Sequence, residues 1–213
     1  VSIHENPVSI RWFTPSIEVD LCGHATLASA RILYEFYPDL AGEEINFDSK
    51  SGNLKITRVD QGLCLNFPVD YPAEVESDPL FFEILGIKPL RLLRGKDDFL
   101  AIFKSQKQIE EIQPKFSLLK KVDARGLVIS APGDDVDFVS RCFYPEAGIE
   151  EDPVTGSAHT MLTPYWANQF NKNKLDAYQL SKRGGKLNCR LANERVLISG
   201  NSVIYFEGTI SIV

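Results

Sequence analysis

Histidine is scarce in this chain of 213 residues: only His4, His24 and His159 are present. That makes a His-rich metal site arithmetically difficult, and no metal is expected. Cysteine is little commoner, and no two of Cys22, Cys64, Cys142 and Cys189 stand close enough in sequence for a metal knuckle or a CxxC redox pair. They read as reduced thiols of a cytoplasmic protein. No apolar run approaches the roughly 18–20 residues of a membrane span, and no basic-then-apolar segment of the secretory kind is visible. Positive charge is in deficit: 23 Lys and Arg against 29 Asp and Glu leave a net charge of −6. Without a basic stripe interleaved with aromatics, neither nucleic acid nor a membrane is expected as a partner.

What remains is an ordinary globular composition, 44% hydrophobic and 24% charged, in a chain long enough for two lobes of about 70–130 residues. Residues 8–13 alternate like a strand that stops at Thr14-Pro15. From Gly23 the period changes, and Ala25, Leu27, Ala28, Ile32, Leu33 and Phe36 make an apolar helical face that Pro38 ends. Strands are predicted over 45–48, 53–59 and 62–67, the last two joined by the hairpin signal Asp60-Gln61-Gly62. Pro68, Pro72 and Pro79 then mark the best domain boundary. It separates a first lobe, 1–70, from a second, 76–202, with a terminal strand, 203–213, returning to the first. The second lobe reads as a short helix over 79–86, strands near 90–94 and 99–103, and a helical stretch over 106–121. Strands follow at 126–130 and 137–144, then a helix over 156–170 that Pro164 could kink. The end is strand-rich over 177–182, 186–191, 194–199 and 201–212. Lys182-Arg183-Gly184-Gly185-Lys186 lacks a following helix and reads as a hairpin turn, not a phosphate loop. The class is α+β with mostly antiparallel pairing.

Two segments of the chain resemble one another. Arg11-Trp12-Phe13-Thr14-Pro15 leads through Ile17-Glu18-Val19-Asp20 to Gly23-His24-Ala25-Thr26; Arg141-Cys142-Phe143-Tyr144-Pro145 leads through Ile149-Glu150-Glu151-Asp152 to Gly156-Ser157-Ala158-His159-Thr160. Both read strand, R-x-F-x-P turn, acidic stretch, glycine, helix. Such repetition predicts two pseudo-symmetric lobes whose glycine turns face each other. Two facing helix starts offer unpaired N–H groups and partial positive charge to an anion, and glycine permits close approach. His24 stands beside one turn, Asp152 and Ser157 beside the other.

Trp12-Phe13-Thr14-Pro15 with Glu18-Val19-Asp20-Leu21-Cys22-Gly23-His24-Ala25-Thr26, followed by Glu151-Asp152-Pro153-Val154-Thr155-Gly156-Ser157-Ala158, closely resembles the two signatures of the PhzF-like family of phenazine biosynthesis. The resemblance runs over essentially the whole chain. It implies a fold like diaminopimelate epimerase, with each lobe wrapping a mostly antiparallel sheet around a central helix. It implies a cofactor-independent isomerase that moves a proton on a small anionic, conjugated substrate, as the best-known member does with a dihydro-hydroxyanthranilate. His24 and Asp152 are then the catalytic residues, and Gly23, Gly156 and Ser157 bind substrate. Family members are often homodimers. The family's principal acid/base is a Glu in an S-E-T-A-F-like segment ahead of the histidine. Only twenty-three residues precede His24, Glu5 does not fit that context, and the chain opens on Val1 inside a strand-like run. An N-terminal piece of about fifty residues is therefore expected to be missing, and little isomerase activity is expected without it.

Alternatives on the same scaffold are an amino-acid racemase or epimerase, which needs a second base facing Cys22, and a noncatalytic small-molecule binder. Cys22 reads as a small buried hydrophobe. A helix start disfavours a cationic His24, so a neutral ring is expected. The same dipole argues against a raised Asp152 pKa, while Glu150 and Glu151 push it upward. His159 and the other three cysteines read as structural.

Overall fold

The computed structural model describes residues 1–3, 7–14, 17–60, 62–76 and 78–209. His4, Glu5, Pro15 and Gln61 lie outside them. The first lobe contains β1 (Val8–Ser9), β2 (Trp12–Phe13), β3 (Glu18–Val19), α1 (Gly23–Phe36), α2 (Pro38–Ala41), β4 (Glu44–Ser49), β5 (Gly52–Val59) and β6 (Gly62–Pro68). The second begins with β7 (Ala73–Glu74), α3 (Pro79–Leu85), β8 (Arg91–Arg94), β9 (Asp98–Ile102), α4 (Gln106–Glu111) and α5 (Phe116–Leu119). It continues with β10 (Gly126–Pro132), β11 (Phe138–Phe143), α6 (His159–Phe170), β12 (Lys174–Gln179), β13 (Gly185–Ala192) and β14 (Arg195–Gly200). All strands but β2 and β3 join one twelve-stranded sheet in the order β1-β4-β5-β6-β14-β13-β12-β11-β10-β9-β8-β7. Pairing is antiparallel except for β1 with β4, β9 with β10 and β11 with β12. The lobes' sheets are continuous because β14 pairs with β6, Leu197 opposite Asn66.

Several elements differ from the sequence reading for identifiable reasons. The single strand expected over 8–13 is two short ones: β1 joins the large sheet, while β2 forms a separate hairpin with β3. The helix expected over 106–121 is broken in two, because Pro114 lacks an N–H and pushes Gln113 out of helical geometry. Helix α1 buries Gly23, Thr26, Ala30, Leu33 and Tyr34, whereas Ile32 and Phe36 are exposed. The buried face packs on α2 and β6 of its own lobe, where Tyr34 Oη donates to the Ile56 carbonyl at 3.0 Å, and at its N-terminus Gly23 meets Gly156 of the other lobe. Residues 201–209 carry no strand, with Tyr205 almost wholly exposed; the remainder of the strand expected over 203–213 lies outside the described residues. β5 and β6 pair as the hairpin signal predicts, Val59 opposite Gly62, and the turn expected over 182–186 does join two paired strands, though the first of them ends at Gln179.

Pro164 sits inside α6. It leaves the Thr160 carbonyl without its intrahelical donor. The Asp70 N–H, in the segment between the lobes, takes that carbonyl at 3.1 Å. The helix defect thus becomes an anchor for the inter-lobe segment.

The repeat is visible in side-chain geometry. Arg11 makes two hydrogen bonds to Glu18, at 2.8 and 2.9 Å, and its guanidinium lies 5.0 Å from the centre of the Phe13 ring. Arg141 makes two to Glu151, at 2.7 and 3.0 Å, and lies 5.1 Å from the centre of the Phe143 ring. Each arginine stacks on the aromatic two residues on and forks onto a glutamate across the turn. The environments differ. Arg11 is exposed, but Arg141 is buried and also donates to the Ile109 and Ile112 carbonyls at 3.0 and 2.7 Å. Arg141→Leu is therefore expected to destabilise the protein by about 3–5 kcal/mol, since it strands a carboxylate and two carbonyls. Arg11→Leu should leave the urea midpoint essentially unmoved. Equal effects of the two substitutions on the midpoint would contradict this reading.

Candidate active site

The two matched turns meet. Gly23 opens α1, and Gly156 starts the turn that feeds α6. A Cβ on Gly23 would lie 2.9 Å from Gly156 Cα and 3.3 Å from its N; one on Gly156 would lie 3.2 Å from Gly23 Cα. Both positions require glycine because two backbones touch there, and neither has a left-handed φ.

This contact places free backbone donors side by side. In α1 the Thr26 N–H reaches Cys22 O at 3.0 Å, while the N–H groups of Gly23, His24 and Ala25 precede any intrahelical acceptor. In the second turn, Gly156, Ser157 and Ala158 carbonyls accept from the residues that follow, but their N–H groups have no partner among the described residues. Ser157 is half-buried. The expected helix start at 156 is shifted: α6 proper begins at His159, and Gly156, Ser157 and Ala158 form the turn before it.

His24 crosses from one lobe to the other. Its Nδ1–H donates to the Val154 carbonyl at 3.0 Å, which fixes the ring's orientation. Cys22 Sγ lies 3.6 Å from Nε2 and 3.8 Å from Nδ1. The pKa is pushed up to about 9, first by the Cys22 contact, with the Asp152 charge and the Val154 carbonyl adding to it and burial opposing. This corrects the expectation of a neutral ring: nearby acceptors outweigh the helix dipole. Cys22 is half-buried, whereas Cys64, Cys142 and Cys189 are buried as expected.

Asp152 is buried at 8% exposure. Its Oδ2 accepts from Thr155 Oγ1 at 2.5 Å, and its N–H donates to Cys142 O at 2.9 Å. Burial raises its pKa, against the Thr155 hydrogen bond and the charges of His24 and Arg125. The dipole argument does not reach it, because Asp152 lies well ahead of α6. Glu151 does not act on it as expected either, being engaged by Arg141. Arg125 is itself held against buried Asp98.

His159 is fully buried, donates Nδ1–H to Thr155 O at 2.8 Å, and is pushed down to about 4 by burial. It is a neutral brace of the second turn. Thr155 stands inside the second signature, but only the structure shows that it and Gln179 hold Asp152 and its turn. A lone glutamine at the end of a strand, as Gln179 is, carries no signal of its own. Among the described residues, no group of three or more His, Cys, Asp or Glu could hold a metal ion, and no helix is long and apolar enough to cross a membrane.

The family model described as phenazine biosynthesis-like protein, PhzC-PhzF, matches residues 2–208. The chain belongs to the PhzF family. It is 48% identical over 201 residues to an uncharacterized isomerase of Pseudomonas aeruginosa, covering 94% of this chain and 77% of that protein. A crystal structure of a PhzF-family protein from Enterococcus faecalis matches with a TM-score of 0.91 and 41% identity, over 98% of this chain and 80% of that one. A hydroxyproline epimerase from Agrobacterium vitis shares the fold at a TM-score of 0.60 and 10% identity, over 92% of this chain and 68% of that one. The epimerase-like α+β architecture that the resemblance implies, with the two lobes the repeat predicts, is thus the fold of this PhzF-family chain, and several of its relatives carry the name isomerase.

Proposed function

We infer that this PhzF-family protein is a cofactor-independent isomerase that moves a proton on a small conjugated carboxylate held between the lobes. The observation that carries this reading is the cross-lobe unit of His24 and Asp152. The Val154 carbonyl of one lobe holds the His24 ring of the other, whose pKa is pushed up to about 9, and the charge of Asp152, a buried carboxyl whose own pKa burial raises, acts on that ring. The substrate carboxylate would lie on the free N–H groups of the two turns, with Ser157 Oγ donating. His24 would then polarise the conjugated system as its charge shifts, and Asp152 would pass and return a proton.

A racemase using two opposed thiols fits less well. The second turn, from Asp152 to Ser157, holds no cysteine, and the Cys142 thiol on β11 is fully buried with its pKa raised by burial.

The test is proton exchange. The full-length protein is incubated in D2O with a panel of small conjugated carboxylates and, separately, free amino acids, and carbon-bound deuterium is read by NMR. Deuterium entering a conjugated carboxylate with migration of a double bond is the expected outcome. Exchange confined to the Cα of amino acids would overturn the reading in favour of a racemase, and exchange nowhere in favour of a binding protein.

A further inference from the structure

Gln179, at the end of β12, is fully buried and has every polar atom engaged by the second catalytic turn. Its Nε2 donates to Asp152 O at 2.7 Å and to Thr155 Oγ1 at 3.1 Å, and its Oε1 accepts from the Thr155 N–H at 2.7 Å. One carboxamide therefore fixes both ends of the stretch from Asp152 to Thr155. The hairpin that follows holds the middle. Ser181 Oγ donates to Pro153 O at 2.7 Å, and Gly185 packs so closely on Val154 that a Cβ there would come within 2.3 Å of Val154 Cγ2.

The consequences reach both catalytic side chains. Thr155 Oγ1 donates to Asp152 Oδ2, so the hydroxyl that aims the carboxyl is itself held by Gln179. Val154, between the two clamped residues, presents the carbonyl that holds His24. A buried amide donor or acceptor left unmatched is costly. The geometry of this turn is thus tied to one side chain that touches neither substrate nor reacting atoms.

We propose that Gln179 is a positioning residue of the isomerase site, whose carboxamide sets the Asp152–Thr155 turn and so aims Asp152 and the Val154 carbonyl that orients His24. The inference rests on the isomerase reading for its catalytic consequence, but not for its structural one.

The experiment uses the full-length protein with Gln179→Met, which keeps length and burial, and Gln179→Glu, which keeps shape and an acceptor but removes the donated bonds. Two readouts are taken on folded protein. The first is solvent exchange of the His24 Nδ1 proton by NMR, tractable with only three histidines in this chain. It should accelerate by about tenfold or more once Val154 is no longer held in place. The second is the rate of proton transfer to the carboxylate found in the exchange assay. Its kcat should fall about 10–100-fold while KM stays within about threefold. If Gln179→Met does not fold, Gln179→Glu decides. Unchanged His24 exchange in a folded variant overturns the proposal, whatever the activity. If the unsubstituted protein exchanges no carboxylate, the isomerase reading fails, and the His24 signal still decides the positioning role.

Discussion

Gly23→Ala is expected to destabilise the protein by about 1–3 kcal/mol, although the same change in an open helical turn stabilises by about 0.4–1 kcal/mol. The sign reverses because the added methyl would stand 2.9 Å from a backbone atom, Gly156 Cα, which cannot rotate away as a side-chain tip can. The lobes must move apart by a few tenths of an ångström or more. That shift acts on the free N–H groups of both turns and on the His24–Val154 bond, so the activity cost should exceed the stability cost. Misplacement of reacting groups by about 1 Å is worth about 100-fold in rate. Gly156→Ala should be milder, because its Cβ meets Gly23 Cα at 3.2 Å and otherwise faces Phe67 at 3.6 Å. Urea unfolding of the two variants checks the order. A Gly23→Ala protein as stable as the unsubstituted one would show that the turns do not touch.

His24→Gln and Asp152→Asn should each lower proton transfer by about 10²–10⁴-fold, the usual share of a positioned acid or base, and Asp152→Asn should leave the melting temperature nearly unchanged. Asp152→Asn keeps an acceptor for Thr155 Oγ1 and the backbone bonds to Cys142 and Gln179, so little folding energy is at stake. His24→Gln keeps a donor for the Val154 carbonyl but loses the charge. The pH dependence follows from the direction of the His24 shift. Its folded pKa, about 9, lies above the ordinary value of 6.5. The cation's contributions to activity and stability are therefore fully present below about pH 6.5 and are lost as pH rises through about 9. In the unsubstituted protein the alkaline limb of the rate profile should fall there. In His24→Gln that limb should vanish. A profile that falls near pH 6.5, or a His24→Gln protein with the same limb, would assign the cation elsewhere.

Much of this site is legible in the amino-acid order. The doubled R-x-F-x-P and acid–Gly–helix pattern implies two lobes with apposed glycine turns, and the backbone contact between Gly23 and Gly156 is that apposition. The arginine–glutamate forks at Arg11 and Arg141 repeat the pattern in three dimensions. What could not be read has a common cause: it depends on tertiary neighbours. The buried face of α1 is set by where β6 and α2 meet it and not by its apolar period alone, so Ile32 and Phe36 face outward. The charge of His24 is set by Cys22, Val154 and Asp152, of which only Cys22 is near in sequence. Asp152 is governed by burial and Thr155, because Glu151 is diverted to Arg141. Gln179 lies 24 residues beyond Thr155 and meets it only because β12 runs parallel to β11, beneath the turn. Pro164 signals a helix defect, but not that Asp70 fills it.

The central claim is that the two turns, with His24 and Asp152, form one proton-moving site. It is tested most directly by running the D2O exchange assay side by side on the full-length protein and its Asp152→Asn variant. Deuterium entering a conjugated carboxylate at a rate that falls by about 100-fold or more in the variant is the expected result. Equal rates in the two proteins would contradict it.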